Sequence, residues 1–245
     1  MFIKKIYYFI IARYMYFADK FTYIKMQDGQ KEITFSYSAK NVYKRLYDRF
    51  DNAGTLDGHY FLQDIYVANK IINKQDFVHY DIGSRIDGFL SHLLASNVNV
   101  NMIDVRPLDH TISGLHFIKG DATDLRDIAT ESISSLSSLH AIEHFGLGRY
   151  GDKVDPDGWY KALKEMGRVL KKGGTLYLSV PIGNVNKVCF NAHRIFSPKT
   201  IVESLDELTL EEFVYIKDYK IINNVDYIKY SENEDYLCGI FTFKK

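Results

Sequence analysis

Residues 77–105 read FVHYDIGSRIDGFLSHLLASNVNVNMIDV. Phe77–Ile82 is a short apolar run of strand-forming residues. Gly88–Ala95 has helical spacing, with Phe89, Leu90, Leu93 and Leu94 facing inward. Val98–Val105 is a second apolar run, and Asp104 lies at its end. A strand, a helix and a strand in such quick succession predict parallel strands with the helix laid across them.

The alternation continues downstream. Leu115–Ile118 reads as a third strand, followed by GDATDL at 120–125. Ile133–Ile142 is a serine-rich fourth. Trp159–Leu170 is an amphipathic helix stopped by Gly173 and Gly174, and Thr175–Val180 is a fifth strand ended by Pro181. Ser197–Ser204 reads as a capped helix with Pro198 in its first turn. Glu212–Ile216 and Tyr236–Phe243 are strand-like. Upstream, Ser38–Phe50 reads as a capped, charged helix and Gly58–Ile72 as an apolar-faced one. The expected organisation is a helical N-terminal extension, 1–75, and an α/β domain, 76–245.

The chain of 245 residues carries 31 Lys+Arg and 31 Asp+Glu, a formal net charge of zero. This argues against a broadly cationic nucleic-acid binder, though not against a local basic patch. Cys189 and Cys238 form no CxxC pair, so two reduced thiols in a cytoplasmic protein are expected. The start, MFIKKIYYFIIARYMYF, mimics a weak signal peptide, but Arg13 interrupts it and no small-x-small cleavage site follows. It is also short of the ~20 apolar residues that span a bilayer. Two readings stay open: a helix packed on the domain or on a second copy in a homodimer, or a cationic aromatic helix lying on a membrane surface.

Parallel sheets bind ligands outside the carboxyl ends of their strands. In DIGSRIDG, 81–88, Gly83 lets the backbone turn sharply beside a ligand. Asp81 offers acceptors to a bound amine or to loop N–H groups. Asp104 presents two oxygens, enough for both hydroxyls of a ribose. Asp121, beside the N–H of Ala122, is placed to read an adenine edge.

This ordered set resembles class I S-adenosylmethionine-dependent methyltransferases from about Asp76 onward. DIGS is similar to the family's acidic-x-Gly first motif, Asp104 to its ribose-binding acid, and GDATDL to its adenine-side motif. LHAIEHF, 139–145, resembles the segment after the fourth strand. LKEMGRVLKKGGTLYLSVP, 163–181, is similar to the leader helix–GG–strand segment. The resemblance implies a seven-stranded, mostly parallel Rossmann-like sheet. It further implies S-adenosylmethionine held by Asp81, Gly83, Ser84, Arg85, Asp104, Val105, Asp121, Ala122 and His140. The chain departs from the family at Arg85 and Asp87, which stand where further glycines belong. Arg85 there either meets the cofactor carboxylate or narrows the pocket. DIGSR with HxIEHFGLGRYGD resembles a branch associated with surface-polysaccharide genes. That likeness implies O-methylation of a sugar, a sugar nucleotide or another phosphorylated acceptor, in a bacterial capsule setting.

His140, Glu143 and His144 form an HxxEH spacing with several open readings. On a helix it is a zinc-hydrolase motif. As acid–base machinery, His144 or Glu143 deprotonates the acceptor hydroxyl. As a metal site it resembles the ExxEH…H set of RNA-terminal ribose methyltransferases, with His140, Glu143, His144 and His193 as ligands for a divalent transition metal. A purely structural role is the fourth reading. The candidate catalytic set is therefore His144, Glu143 and His193. Gly146–Gly158 reads as a substrate lid, with Arg149, Tyr150 and Asp152 toward a sugar or phosphate. Arg194 has the fork for an anionic group. Two rival functions remain. Tyr160 and Lys164 with Ser137 and Ser138 echo a short-chain dehydrogenase without its glycine fingerprint. The altered glycine loop also suits a non-catalytic scaffold of the same fold.

Overall fold

The computed structural model describes residues 2–27, 37–54, 58–223 and 225–245, with side chains from Tyr7 onward. It divides into two compact units, Met1–Thr55 and Leu56–Lys245. The first holds α1 (Phe2–Met26), which exposes Tyr7, Phe9, Ile10, Tyr14, Phe17 and Phe21. No described helix is long and apolar enough to cross a membrane. Lys4, Lys5 and Ile6 of the signal-like stretch lie outside the described side chains, and 28–36 and 55–57 outside the described residues.

The predicted helix over Ser38–Phe50 does not form. That segment has two single turns, Ala39–Asn41 and Asp48–Phe50, with Ser38 Oγ accepting from the Lys40 N–H. None of its residues is buried. A helix this short needs an apolar face packed on something, and this segment has none.

The second unit is built on an eight-stranded sheet in the order β3-β2-β1-β4-β5-β10-β8-β9. Its strands are β1 (Val78–Ile82), β2 (Asn99–Asp104), β3 (Leu115–Lys119), β4 (Ile133–Leu139), β5 (Leu170–Ile182), β8 (Thr209–Lys217), β9 (Lys220–Ile222) and β10 (Leu237–Lys244). A small separate hairpin joins β6 (Lys187–Cys189) to β7 (His193–Ile195). β3, β2, β1, β4 and β5 run parallel, whereas β10, β8 and β9 pair antiparallel. The seven-strand expectation is corrected to eight, because the short edge strand β9 pairs onto β8.

Both faces of the sheet are covered. α2 (Tyr60–Asn73) and α3 (Phe89–Ala95) bury Val67, Ala68, Ile71, Phe89, Leu90 and Leu93 against Val100, Met102 and Tyr177. α4 (Gly158–Val169) and α5 (Pro198–Ser204) cover the other face, where Leu163, Met166 and Ile201 meet Leu136, Leu176 and Leu178. α2 was grouped with the N-terminal extension in the sequence reading, but its apolar face makes it part of the α/β unit.

Pro181 does not end β5. It stays paired with Cys238 of β10, and its carbonyl accepts from Phe196 N–H at 2.9 Å. A strand residue points its N–H and C=O to the same edge. The missing N–H therefore falls on the edge that β4 has left after Leu139 pairs with Ser179, so no ladder bond is lost.

Candidate active site

The order β3-β2-β1 sets Asp121, Asp104 and Asp81 at the carboxyl ends of three adjacent parallel strands. Gly83 follows β1 at φ +80°, and an added Cβ would lie 2.8 Å from the Ala141 Cβ. Conformation and space both require glycine there.

Asp81 is fully buried at the base of this tip. Its carboxylate accepts from Ser84 N–H at 3.0 Å, Ser84 Oγ at 2.9 Å and Ser137 Oγ at 2.5 Å. Burial pushes its pKa up to about 6, against the pull of those hydrogen bonds and helped by Asp104. The network runs on into the sheet. Ser137 Oγ lies 2.8 Å from His79 Nε2, and His79 Nδ1 lies 2.8 Å from Ser135 Oγ. Burial holds His79 neutral, with its pKa down to about 3. An ionised carboxylate only accepts, so Ser137 donates to Asp81 and itself accepts from His79 Nε2–H. His79 Nδ1 then accepts from Ser135. His79, Ser135 and Ser137 were not singled out for this role. The serine pairs of β4, ISSLSSL, are the only sequence trace of Ser135 and Ser137.

Asp104 is engaged by its neighbour. Arg106 Nε and Nη2 reach its two oxygens at 2.9 and 2.6 Å, and the Arg106 N–H donates at 2.8 Å. The Arg106 side chain is 42% exposed, so this clamp is open to solvent on one side. Asp121 is exposed and accepts from Thr123 N–H and Oγ1 within its own turn. Val105 is half-buried, and Ala122 is buried in the core. Arg85 pairs with Asp87 at 2.9 and 2.6 Å and stands largely in solvent. Ser84, Arg85, Asp104, Arg106, Met102 and Phe117 line a cavity of about 390 Å³ beside these tips.

His140 follows β4 directly, and Glu143 and His144 lie on a single turn, Ile142–His144, rather than a helix long enough for a hydrolase motif. His140 takes φ +49°, in the left-handed region, where the chain turns out of β4. Its Nδ1 is 3.0 Å from Glu143 Oε1, within ion-pair distance but out of line for a hydrogen bond. Glu143 is completely buried. His144 Nδ1 lies 2.6 Å from the Ala192 carbonyl, to which it donates, leaving Nε2 3.6 Å from Glu143 Oε1. Burial lowers the His144 pKa, with Glu143 opposing. The Tyr150 ring receives Arg106 at 4.7 Å and Arg149 at 5.1 Å, and meets His144 edge-on at 5.5 Å. The glycine-rich loop is thereby tied to the Asp104 tip.

Other candidates settle differently. Arg194 is buried and donates to the carbonyls of Phe145 and Pro156, so its fork is not free for an anion. Asp152 accepts from the N–H groups of Gly146 and Tyr150, bracing its own loop. His193 packs its ring on Tyr236 at 4.6 Å. His140, Glu143, His144 and His193 do not converge as a ligand set. Among the described residues, the donor atoms that come together belong to His59, His140 and Cys238. His59 precedes α2 and stacks on His140 at 4.3 Å. The dehydrogenase pattern does not assemble either. Ser137 and Ser138 are buried donors to Asp81 and the Ile82 carbonyl, and Lys164 pairs with Asp206.

Residues 111–232 match a family described as Caenorhabditis protein of unknown function, DUF268. No curated protein sequence matches the chain. Solved structures do. The Burkholderia thailandensis 1,6-didemethyltoxoflavin-N1-methyltransferase, bound to its substrate and S-adenosylhomocysteine, is 13% identical with a TM-score of 0.52, covering 80% of this chain and 93% of its own. A Galdieria sulphuraria protein assigned as a sarcosine dimethylglycine methyltransferase is 12% identical with a TM-score of 0.54, covering 75% and 85%. The [4+2]-cyclase SpnF is 13% identical with a TM-score of 0.52, covering 74% and 80%. Identities this low speak to architecture alone. The chain has the Rossmann-like fold of the S-adenosylmethionine-dependent methyltransferases.

Proposed function

We propose that the chain is an S-adenosylmethionine-dependent O-methyltransferase. Its acceptor would be a sugar or sugar nucleotide for a surface glycan. The observation that carries the reading is the alignment of Asp81, Gly83, Asp104 and Asp121 at three adjacent parallel strand ends. The residues fit the cofactor. Gly83 is a close-approach position that a Cβ would fill, and Asp104 holds two oxygens in an exchangeable clamp beside a cavity. When bound, the cofactor supplies an electrophilic methyl group on a sulfonium.

The chain's own residues do the rest. Gly83, Ser84 and the Asp81 network shape the turn under the cofactor's amino-acid end, with His140 alongside. Asp104 would hold the ribose once Arg106 is displaced, and Val105, Asp121 and Ala122 would lie on the adenine side. His144 accepts the acceptor's proton and Glu143 stabilises the imidazolium that results. Arg149 and Tyr150 hold the polar acceptor, and His193 borders it. Positioning supplies most of the acceleration. Because burial lowers the His144 pKa, the base is already neutral at pH 7. The rate should therefore be flat through pH 7–8, with its acid limb below the ordinary histidine range. An acid limb centred above pH 7 would remove His144 from the role.

The direct test is a screen of sugars, sugar nucleotides and phosphorylated sugars with S-adenosylmethionine, read by mass spectrometry for the gain of one methyl group. One observation favours a second reading, a non-catalytic binding subunit: Arg106 occupies the Asp104 oxygens. Absence of cofactor binding by calorimetry would select it.

A further inference from the structure

Among the described residues, five buried polar atoms without hydrogen-bond partners share one neighbourhood. They are His59 Nε2, both His140 ring nitrogens and both Glu143 oxygens. A carboxylate with neither solvent nor hydrogen bond is costly to bury, and orphaned polar atoms at this density point to a missing ion or water. Beside them, donor atoms of His59, His140 and Cys238 lie within 4.8 Å of one another.

We propose that His59, His140 and Cys238 bind a divalent cation of the zinc class, with the Glu143 carboxylate beside His140. Two imidazoles and a thiol make a mixed nitrogen–sulfur donor set, which suits Zn²⁺ and its late transition-metal neighbours rather than Mg²⁺ or Ca²⁺. The charge balances: the Glu143 carboxylate and a Cys238 thiolate together offset the two positive charges of the ion. On binding, the Cys238 S–H gives up its hydrogen bond to Gln63 Oε1, at 3.3 Å, its proton leaves to water, the sulfur bonds the metal, and no electron moves. Glu143 Oε1, 3.0 Å from His140 Nδ1, sets a carboxylate charge directly beside the ligating histidine.

The His59 ring is stacked on His140 at an interplanar angle of 26°. A metal lies in the plane of each imidazole it binds, so loading turns the half-buried His59 ring about χ2. Three protein ligands leave a fourth position for water or an acceptor atom. The site joins the turn before α2, the residue after β4, and β10. It does not depend on whether the chain transfers a methyl group.

The test uses the full chain, stripped with chelator and reloaded with Zn²⁺ or Co²⁺. One retained ion per chain is expected, and the Co²⁺ form should show thiolate-to-cobalt charge-transfer absorption. Cys238→Ser should abolish that absorption and His59→Gln should weaken retention. Glu143→Gln should lower affinity roughly 10–100-fold while keeping the absorption of the loaded form. Substoichiometric metal, or an unchanged spectrum in Cys238→Ser, overturns the site. If Cys238→Ser fails to fold by circular dichroism, His59→Gln decides, because retention equal to the parent chain also overturns it.

Discussion

Asp104→Ala should weaken S-adenosylmethionine binding roughly 30-fold while leaving the fold intact. Two charge-assisted hydrogen bonds to a ribose, at about 1.5 kcal/mol each, make about 3 kcal/mol, from which displacing Arg106 takes back about 1 kcal/mol. Asp104 lies at a strand end and anchors no core side chain, so its removal should not unfold the sheet. Arg106→Ala should act in the opposite direction. The guanidinium holds both Asp104 oxygens, and a ribose must displace it. The clamp is partly exposed, which limits its strength to about 1 kcal/mol. Removing it should therefore tighten binding about fivefold. Isothermal titration of the two variants checks both signs. Unchanged affinity in Asp104→Ala would remove the ribose assignment.

Asp81 should make the native state progressively less stable from about pH 4 to about pH 6. Its folded pKa, about 6, stands above its ordinary 3.8. Below the lower value the carboxyl is neutral in both folded and unfolded chains and costs nothing. Above the higher value it is ionised in both, and only the folded chain holds that charge in a desolvated place. Two pKa units correspond to about 3 kcal/mol. Asp81→Asn keeps an acceptor for the Ser84 N–H and abolishes the titration. Between pH 4 and pH 8 the stability gap should therefore move in the variant's favour by about 2–3 kcal/mol, measured by denaturant unfolding. Parallel stability profiles would show that Asp81 is not desolvated in the folded chain.

The parallel half of the sheet was legible because each strand there is an apolar run closed by a polar tip. β1, β2 and β3 were found to within a residue or two. The acidic tips were legible for the same reason, but their partners were not. Arg106 follows Asp104 by two residues and reads as loop, and only the turn at the strand end folds it back. His59 and Cys238 carry no spacing signal at all. One opens a helix and the other lies in the strand beside β5, and only the sheet order brings them to His140. The hairpin β6–β7 and the edge strand β9 are three-residue elements, too short to establish a period. The Ser38–Phe50 expectation relied on a capping serine and charged spacing, and neither substitutes for buried apolar contact.

β10 lies between β5 and β8, so β8 and β9 join the sheet only through a strand made after them. As the chain leaves the ribosome, 209–222 emerge before the strand that β8 pairs with in the native sheet. Until 237–244 follow, an unsatisfied β-ribbon and the bare flank of β5 are both open to other molecules. Assembly of this half is a matter of timing, and the interval before β10 arrives is when a chaperone would matter most.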